Sequence, residues 1–223
     1  GGGISFSPSR QTVWFALLNA AVLVIFHLSQ IGATTRGSYA IANLCMLFGG
    51  ILLPMIVSLT QMGQALTVLQ IIAVVLMCLS FLLLNCQGLS LGGTKKGFWF
   101  CCIALALSNG AYGSILALQA DAAPTERVEM LTLSYLASAL FAALVLLGGR
   151  VRNRKKPKKF RMKGRAWLFA FGCCAVATVA VNILSYLLAR VNVTVVNTVD
   201  NGGVLLLAAL FGSGKGSGAA MVM

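Results

Sequence analysis

The chain has very few of the side chains that enzymes use for acid–base or metal chemistry. It contains four Asp and Glu residues and one His among 223 residues. A membrane hydrolase or transferase needs paired acids, a cluster of metal ligands or an activated nucleophile, and the sequence offers almost nothing of this kind. The seven Cys residues lie in apolar stretches and form no C-x-x-C pair, unlike the ligands of a zinc site. We therefore expect no enzyme activity, no cofactor and no bound metal.

Charged residues are scarce as well. They make up 9% of the chain, whereas 59% of it is hydrophobic and the mean hydropathy is +0.92. Soluble domains carry about 25% charged and 45–50% apolar residues, so the composition excludes both a soluble globule and a disordered chain. The apolar runs are continuous and lack the alternation of a transmembrane β-barrel. The sequence therefore predicts an integral membrane protein made of helices.

Seven apolar runs have the length of a membrane-spanning helix, about 20 residues. Each is bounded by Gly, Pro, Asn or charged residues and is apolar around most of its circumference, unlike a surface helix of a soluble bundle. We expect an all-α, polytopic membrane helix bundle that forms one membrane domain. Its predicted spans are A (12–30), B (38–60), C (66–86), D (97–118), E (129–147), F (166–189) and G (193–211).

Basic residues are concentrated in one connecting segment. The chain has 17 Lys and Arg residues and a net charge of +13, and ten of the 17 lie in residues 150–165. If successive spans alternate sides, the side of this segment holds 14 basic residues, and the other side holds only Arg10, Arg127 and Arg190. Cytoplasmic loops carry such an excess, so we expect segment 150–165 in the cytoplasm and the chain in the plasma (inner) membrane. The segment contains a single Phe, which argues against binding of nucleic acid.

Two parts of the chain resemble each other when the sequence is shifted by 153 residues. Trp14 then aligns with Trp167, and the run Gly49–Leu53 aligns with Gly202–Leu206. Spans A and B thus correspond to spans F and G. Because the offset is five spans, an odd number, the two copies cross the membrane in opposite senses. This pattern is the inverted-topology repeat of many secondary transporters.

Span B, its exit turn and the later polar positions carry a family resemblance. The residues concerned are Gly49, Gly50, Pro54, the turn Met62–Thr67 (MGQALT), Asn109–Gly110, Gln119 and Gly202–Gly203. With these features the chain, over roughly residues 8–212, resembles the EamA-like transporters of the drug/metabolite transporter superfamily. It departs from that family at Gln64, which stands where the family has a Glu.

The resemblance implies ten helices in two five-helix halves. Residues 1–95 would be the end of the first repeat, with three helices, and residues 96–223 the second repeat, with four. The chain would then be a fragment that lacks the first two helices and the last one. A ten-helix member with both ends inside would place segment 150–165 outside, which disagrees with the charge distribution. We keep the cytoplasmic assignment that the charge distribution indicates.

Polar residues within the spans are the candidates for contact with a substrate or a coupling ion, because ionisable groups at membrane depth are costly. Asp200 shares one face of span G with Asn197 and Asn201, at i, i+3 and i+4 spacing. Asn109, in span D, and Gln119, directly after it, complete the set. A surface cap for Asp200 and a hydrogen bond between helices for Asn109 are the structural alternatives.

Other residues in the spans are expected to serve helix packing. Asn19 and Asn182 are expected to hydrogen-bond to neighbouring helices, at about 0.6 kcal/mol on average. Small residues let membrane helices approach closely, and Pro interrupts their hydrogen bonding. The candidate packing or hinge residues are Gly49, Gly50, Pro54, Gly110, Gly113, Gly202 and Gly203.

Together, the repeat and the resemblance favour a secondary transporter that moves small metabolites or drug-like solutes by alternating access. The alternative is a non-transporting membrane scaffold or a lipid-handling membrane protein. The expected partners are the lipid bilayer and a small-molecule solute, with a homodimer as a further option and no nucleic acid.

Overall fold

The computed structural model describes residues 6–63, 95–152 and 164–191, and in part residues 68–79 and 193–200. These residues form long α-helices, and no strand occurs among them. The five long helices are α1 (Arg10–Thr34), α2 (Tyr39–Gln61), α3 (Phe98–Ala122), α4 (Arg127–Arg152) and α5 (Gly164–Leu188).

The five helices correspond to the predicted spans A, B, D, E and F. Predicted spans C and G lie largely outside the described residues, so the count of seven and the repeat stay predictions. Helix α4 is longer than its predicted span: it begins at Arg127 and runs past Gly148 and Gly149 to Arg152.

Each of the five helices is long and apolar enough to cross a membrane. Helices of 23 to 26 residues extend about 35–39 Å, and the hydrocarbon core of a bilayer is about 30 Å thick. The outer surfaces of α4 and α5 expose large apolar side chains such as Leu144, Leu168 and Phe171. Such surfaces suit contact with lipid rather than with water.

Helix α3 is the centre of the packing. It lies against α1 and α2, and α1 also packs against α4. A core cluster that includes Ala16, Leu116 and Met130 joins α1, α3 and α4 and extends to the end of α5. A second cluster, built around Phe98 and Ile41, joins α1, α2 and α3.

Two sets of contacts define the ends of the bundle. Ser9 caps α1 and contacts Glu126 in the α3–α4 turn, so α1 and α4 begin where α3 ends; we call this the Glu126 end. The Lys95 backbone N–H donates to the Arg36 carbonyl oxygen at 2.8 Å, which joins the α1–α2 turn to the start of α3 at the opposite, Lys95 end.

After α2, Gly63 adopts a positive φ of 61°, the left-handed conformation in which helices commonly stop.

Helices α2 and α3 meet backbone to backbone. A Cβ on Gly49 would overlap the backbone of Ala106, and a Cβ on Gly110 would overlap the Gly49 carbonyl oxygen and the side chain of Leu53. Because neither glycine has a side chain, the helix axes approach more closely than larger residues allow, which favours van der Waals contact in lipid.

Candidate functional site

Polar side chains from different helices lie at one depth of the bundle. Asn19 is nine residues from the start of α1, Tyr112 ten residues from the end of α3, and Tyr135 eight residues from the start of α4. At 1.5 Å per residue, all three are roughly 12–15 Å from the Glu126 end. Asp200 has helical backbone and lies near Tyr112. We call Asn19, Tyr112, Tyr135 and Asp200 the polar layer.

Three members of the layer interact with one another. The Tyr112 hydroxyl lies near the Tyr135 hydroxyl, so side chains of α3 and α4 interact at this depth. The Asp200 carboxylate is close enough to the Tyr112 hydroxyl for an electrostatic interaction. Asp200 itself is exposed on the bundle. The group thus combines one carboxylate with two phenols in an otherwise apolar region.

Asn19 differs from the other members because its amide has no partner. The side chain is fully buried, and neither Nδ2 nor Oδ1 makes a hydrogen bond to the described part of the chain. Leaving buried polar atoms unpaired costs about 1–3 kcal/mol per group. The carboxamide therefore presents a free donor and a free acceptor inside the bundle, and the expected bond to a neighbouring helix is not formed within residues 6–63, 95–152 and 164–191.

The other predicted polar candidates lie elsewhere. Asn109 Nδ2 donates to the Met46 carbonyl oxygen at 2.8 Å and so joins α3 to α2. Gln119 Nε2 donates to the Ala123 carbonyl oxygen at 2.9 Å at the end of α3. Asn182 donates to the Thr178 carbonyl oxygen of its own helix at 2.8 Å and is exposed. Each of these amides thus bonds to backbone.

The predicted packing residues divide into two groups. Gly49, Gly50, Pro54, Gly110 and Gly113 are all buried, and Gly49 and Gly110 lie in the contact between α2 and α3. The second group, Gly202 and Gly203, lies outside the described residues, and so do the polar candidates Asn197 and Asn201.

A separate polar contact closes the Glu126 end. The Ser9 backbone N–H and the Ser9 hydroxyl both donate to Glu126 Oε2 at 2.8 Å. Hydrogen bonds from the Thr12 side chain and from these two Ser9 groups stabilise the carboxylate and lower the pKa of Glu126 below its ordinary 4.5. The contact ties the start of α1 to the α3–α4 turn.

Sequence reasoning did not find the polar layer as a group. Tyr112 and Tyr135 look like ordinary aromatic residues in apolar helices, and their hydroxyls come together only because α3 and α4 both pack against α1 at the corresponding depth. Asn19 and Asn182 have the same sequence context, a single amide in an apolar run. In the structure Asn19 is buried without a hydrogen-bond partner among the described residues, whereas Asn182 is exposed.

Within the described residues, no cluster of three or more His, Cys, Asp and Glu side chains has a metal-binding arrangement. Comparison with family models, with curated proteins and with solved structures finds no match to this chain. The chemistry of the polar layer therefore carries the functional argument.

Proposed function

We propose that the chain belongs to a secondary transporter that moves small metabolites or drug-like solutes across the membrane by alternating access. The observation that carries the proposal is the unpartnered carboxamide of Asn19, buried at the depth of Tyr112, Tyr135 and Asp200. Polar groups at membrane depth are retained chiefly where they serve a substrate or an ion. A solute that supplies a donor and an acceptor would satisfy Asn19 during passage.

The layer offers what a solute site and a coupling site need. Its phenol and amide groups supply hydrogen bonds, and Asp200 supplies one charge that a proton or another cation can neutralise. The tight contact between Gly49 and Gly110 would let α2 and α3 move as one body during transport. Motion of other helices against that pair would expose the layer to each side in turn.

The sequence repeat adds support for this mechanism. Trp14 and Trp167 occupy equivalent positions near the start of α1 and α5 and are both exposed. Since α1 starts at the Glu126 end and α5 at the opposite end, the two indoles lie at opposite faces of the bundle, where interfacial Trp is favoured. This arrangement is what an inverted repeat of the EamA-like kind requires.

We further propose that the Lys95 end faces the cytoplasm. If span G crosses the membrane as the sequence predicts, that side holds 14 of the 17 basic residues. The Glu126 end carries Arg10, Arg127 and Arg190 together with Asp121, Glu126 and Glu129, so these charges balance. The positive-inside rule assigns the strongly basic face to the cytoplasm.

The test is an exchange assay with a complex mixture of solutes. The protein, expressed from the complete reading frame that contains this chain, is placed in liposomes, incubated with a cellular metabolite extract, and the internal solutes are identified by mass spectrometry. Wild-type protein should enrich at least one metabolite over protein-free liposomes and over Asn19→Leu. Internal contents equal to those of protein-free liposomes would overturn the proposal, and movement of labelled lipid between leaflets without solute exchange would favour the lipid-handling alternative.

A further inference from the structure

A second polar feature lies at the Glu126 end, away from the polar layer. It is a cleft of about 500 Å³ among the last residues of α2, α3 and α5. Asp121 and Arg190 supply its charged groups, and apolar side chains such as Met62, Leu188 and Val191 supply much of the remaining lining. The volume is within the range of small-molecule sites, about 300–1,000 Å³.

The two charges of the cleft face the same space without pairing. Asp121 and Arg190 are both exposed, and among the described residues no ion pair joins them. The Arg190 guanidinium lies over the Tyr186 ring, with its Cζ 4.4 Å from the ring centre. This cation–π contact holds Arg190 on α5, apart from Asp121 on α3. A ligand with a positive and a negative group would bridge the separation.

Because the cleft lies at the ends of three helices, the part of it around Asp121 favours a positively charged group. Helices α2, α3 and α5 all end at this face, and Met62, Asp121 and Leu188 belong to their last turns or caps. The final carbonyl groups of a helix lack intrahelical partners, and the helix dipole places partial negative charge there. Together with the Asp121 carboxylate, these carbonyls favour an ammonium group, which has several N–H donors.

The depth of the cleft identifies the source of such a ligand. The cleft opens where membrane-length helices end, which is the headgroup region of the bilayer, and apolar side chains line it together with the charges. Guanidinium groups bind phosphate well because their donors match its oxygens. A phosphate next to an ammonium group is the headgroup chemistry of an ethanolamine phospholipid.

We propose that this cleft binds the headgroup of a phospholipid that carries a phosphate and a primary ammonium group, with the phosphate on Arg190 and the ammonium on Asp121. The site is separate from the polar layer and does not depend on transport. A soluble glycerophosphoethanolamine has the same polar groups as this phospholipid. Only the phospholipid has acyl chains, which would lie along α3 and α5.

The experiment compares lipid retention by native mass spectrometry of the purified protein. The lipids are phosphatidylethanolamine, phosphatidylcholine, whose quaternary ammonium has no N–H donor, and phosphatidylglycerol, which has no cation. Wild-type protein should retain phosphatidylethanolamine about tenfold better than either of the others, as expected for the loss of one charged hydrogen bond. Asp121→Asn should remove this preference, and Arg190→Gln should reduce retention of all three lipids.

The matched control is Arg10→Gln, because Arg10 lies at the same end of the bundle but beside a different surface, with Trp14 and Phe15. Its lipid preference should equal that of wild type. Equal retention of the three lipids by wild-type protein, or identical behaviour of Arg10→Gln and Arg190→Gln, would overturn the proposal. Thermal stabilisation by soluble glycerophosphoethanolamine equal to that by the lipid would overturn the assignment to lipid. All three substitutions replace exposed groups, so a folded protein is expected in each case.

Discussion

Gly49 and Gly110 lie against each other where α2 and α3 meet, so closely that a Cβ on Gly110 would overlap the Gly49 carbonyl oxygen. The contact leaves no room for any side chain on either residue. It is reinforced one residue away by the hydrogen bond from Asn109 to the Met46 carbonyl oxygen. Backbone contact and the hydrogen bond from Asn109 therefore both hold the α2–α3 pair together.

Gly49→Ala is predicted to destabilise the protein, because the added methyl group meets the backbone of Ala106, which cannot move without moving α3. Overpacking of this kind costs about 1–3 kcal/mol. Gly172→Ala is the control, since nothing lies within 4 Å of the position that its Cβ would take. Thermal unfolding in detergent should show a lower midpoint for Gly49→Ala and an unchanged or higher one for Gly172→Ala. Equal midpoints for the two variants would show that the close contact is absent in solution.

Asn19→Leu and Asn109→Leu are predicted to differ in their effect on stability. Asn109 loses its bond to α2, at about 0.6 kcal/mol, so its variant should unfold at a lower temperature. Asn19 has no partner to lose among the described residues, and a leucine, which has the same branched shape and number of side-chain heavy atoms, removes unpaired buried polar atoms, which should leave stability equal or raise it by about 1–3 kcal/mol. A lower unfolding midpoint for Asn19→Leu than for Asn109→Leu would mean that Asn19 makes a structural hydrogen bond.

The Glu126 contact is predicted to make stability depend on pH in the acidic range. Because hydrogen bonds lower the pKa of Glu126 in the folded state, its contribution is complete above its ordinary pKa of 4.5 and is lost as the pH falls through the lower, folded-state value. Unfolding midpoints of wild type and Glu126→Gln, measured from about pH 6 to about pH 3, should therefore converge at the acidic end. A constant difference across this range would contradict the role of the ionised carboxylate.

The orientation of the bundle is predicted by its charge. In a Cys-free background, Lys155→Cys lies in the basic segment, and Thr125→Cys lies in the exposed α3–α4 turn at the other end. An impermeant thiol reagent should label Thr125→Cys in intact cells and Lys155→Cys only after permeabilisation, because basic loops stay in the cytoplasm. The reverse pattern would invert the orientation, and labelling of both in intact cells would indicate mixed topology.

The helices of this protein could be predicted from the sequence because membrane spans leave a strong local signal. Apolar run length alone located α1 to α5, and the errors lie at the ends, where helices continue through polar residues such as Arg127 and Arg152. The importance of Gly49 and Gly110 was also visible, since glycine inside an apolar helix is typical of a close contact between membrane helices. These features depend on the properties of one segment at a time.

The polar layer could not be predicted in the same way, because it depends on how deep each helix sits relative to its neighbours. Asn19 and Asn109 look alike in sequence, but Asn109 faces a carbonyl oxygen of α2, and Asn19 faces a packed interior with no acceptor or donor among the described residues. Whether an amide joins two helices or stays unpaired depends on how far the helices are shifted relative to each other along their axes. The residues around the amide in the sequence do not show this shift.

The measurement that tests the central claim most directly is solute uptake into proteoliposomes driven by a pH gradient. The solutes are the metabolites that the exchange assay with the metabolite extract identifies. The measurement compares wild type with Asn19→Leu, Asp200→Asn and the control Asn182→Leu, whose amide is exposed and bonds only within its own helix among the described residues. Wild type and Asn182→Leu should accumulate the solute. Asp200→Asn should retain exchange but lose gradient-driven accumulation, because its amide cannot carry a proton, and Asn19→Leu should lose both. Accumulation by Asn19→Leu and Asp200→Asn equal to that of wild type would contradict the assignment of the polar layer as the transport site.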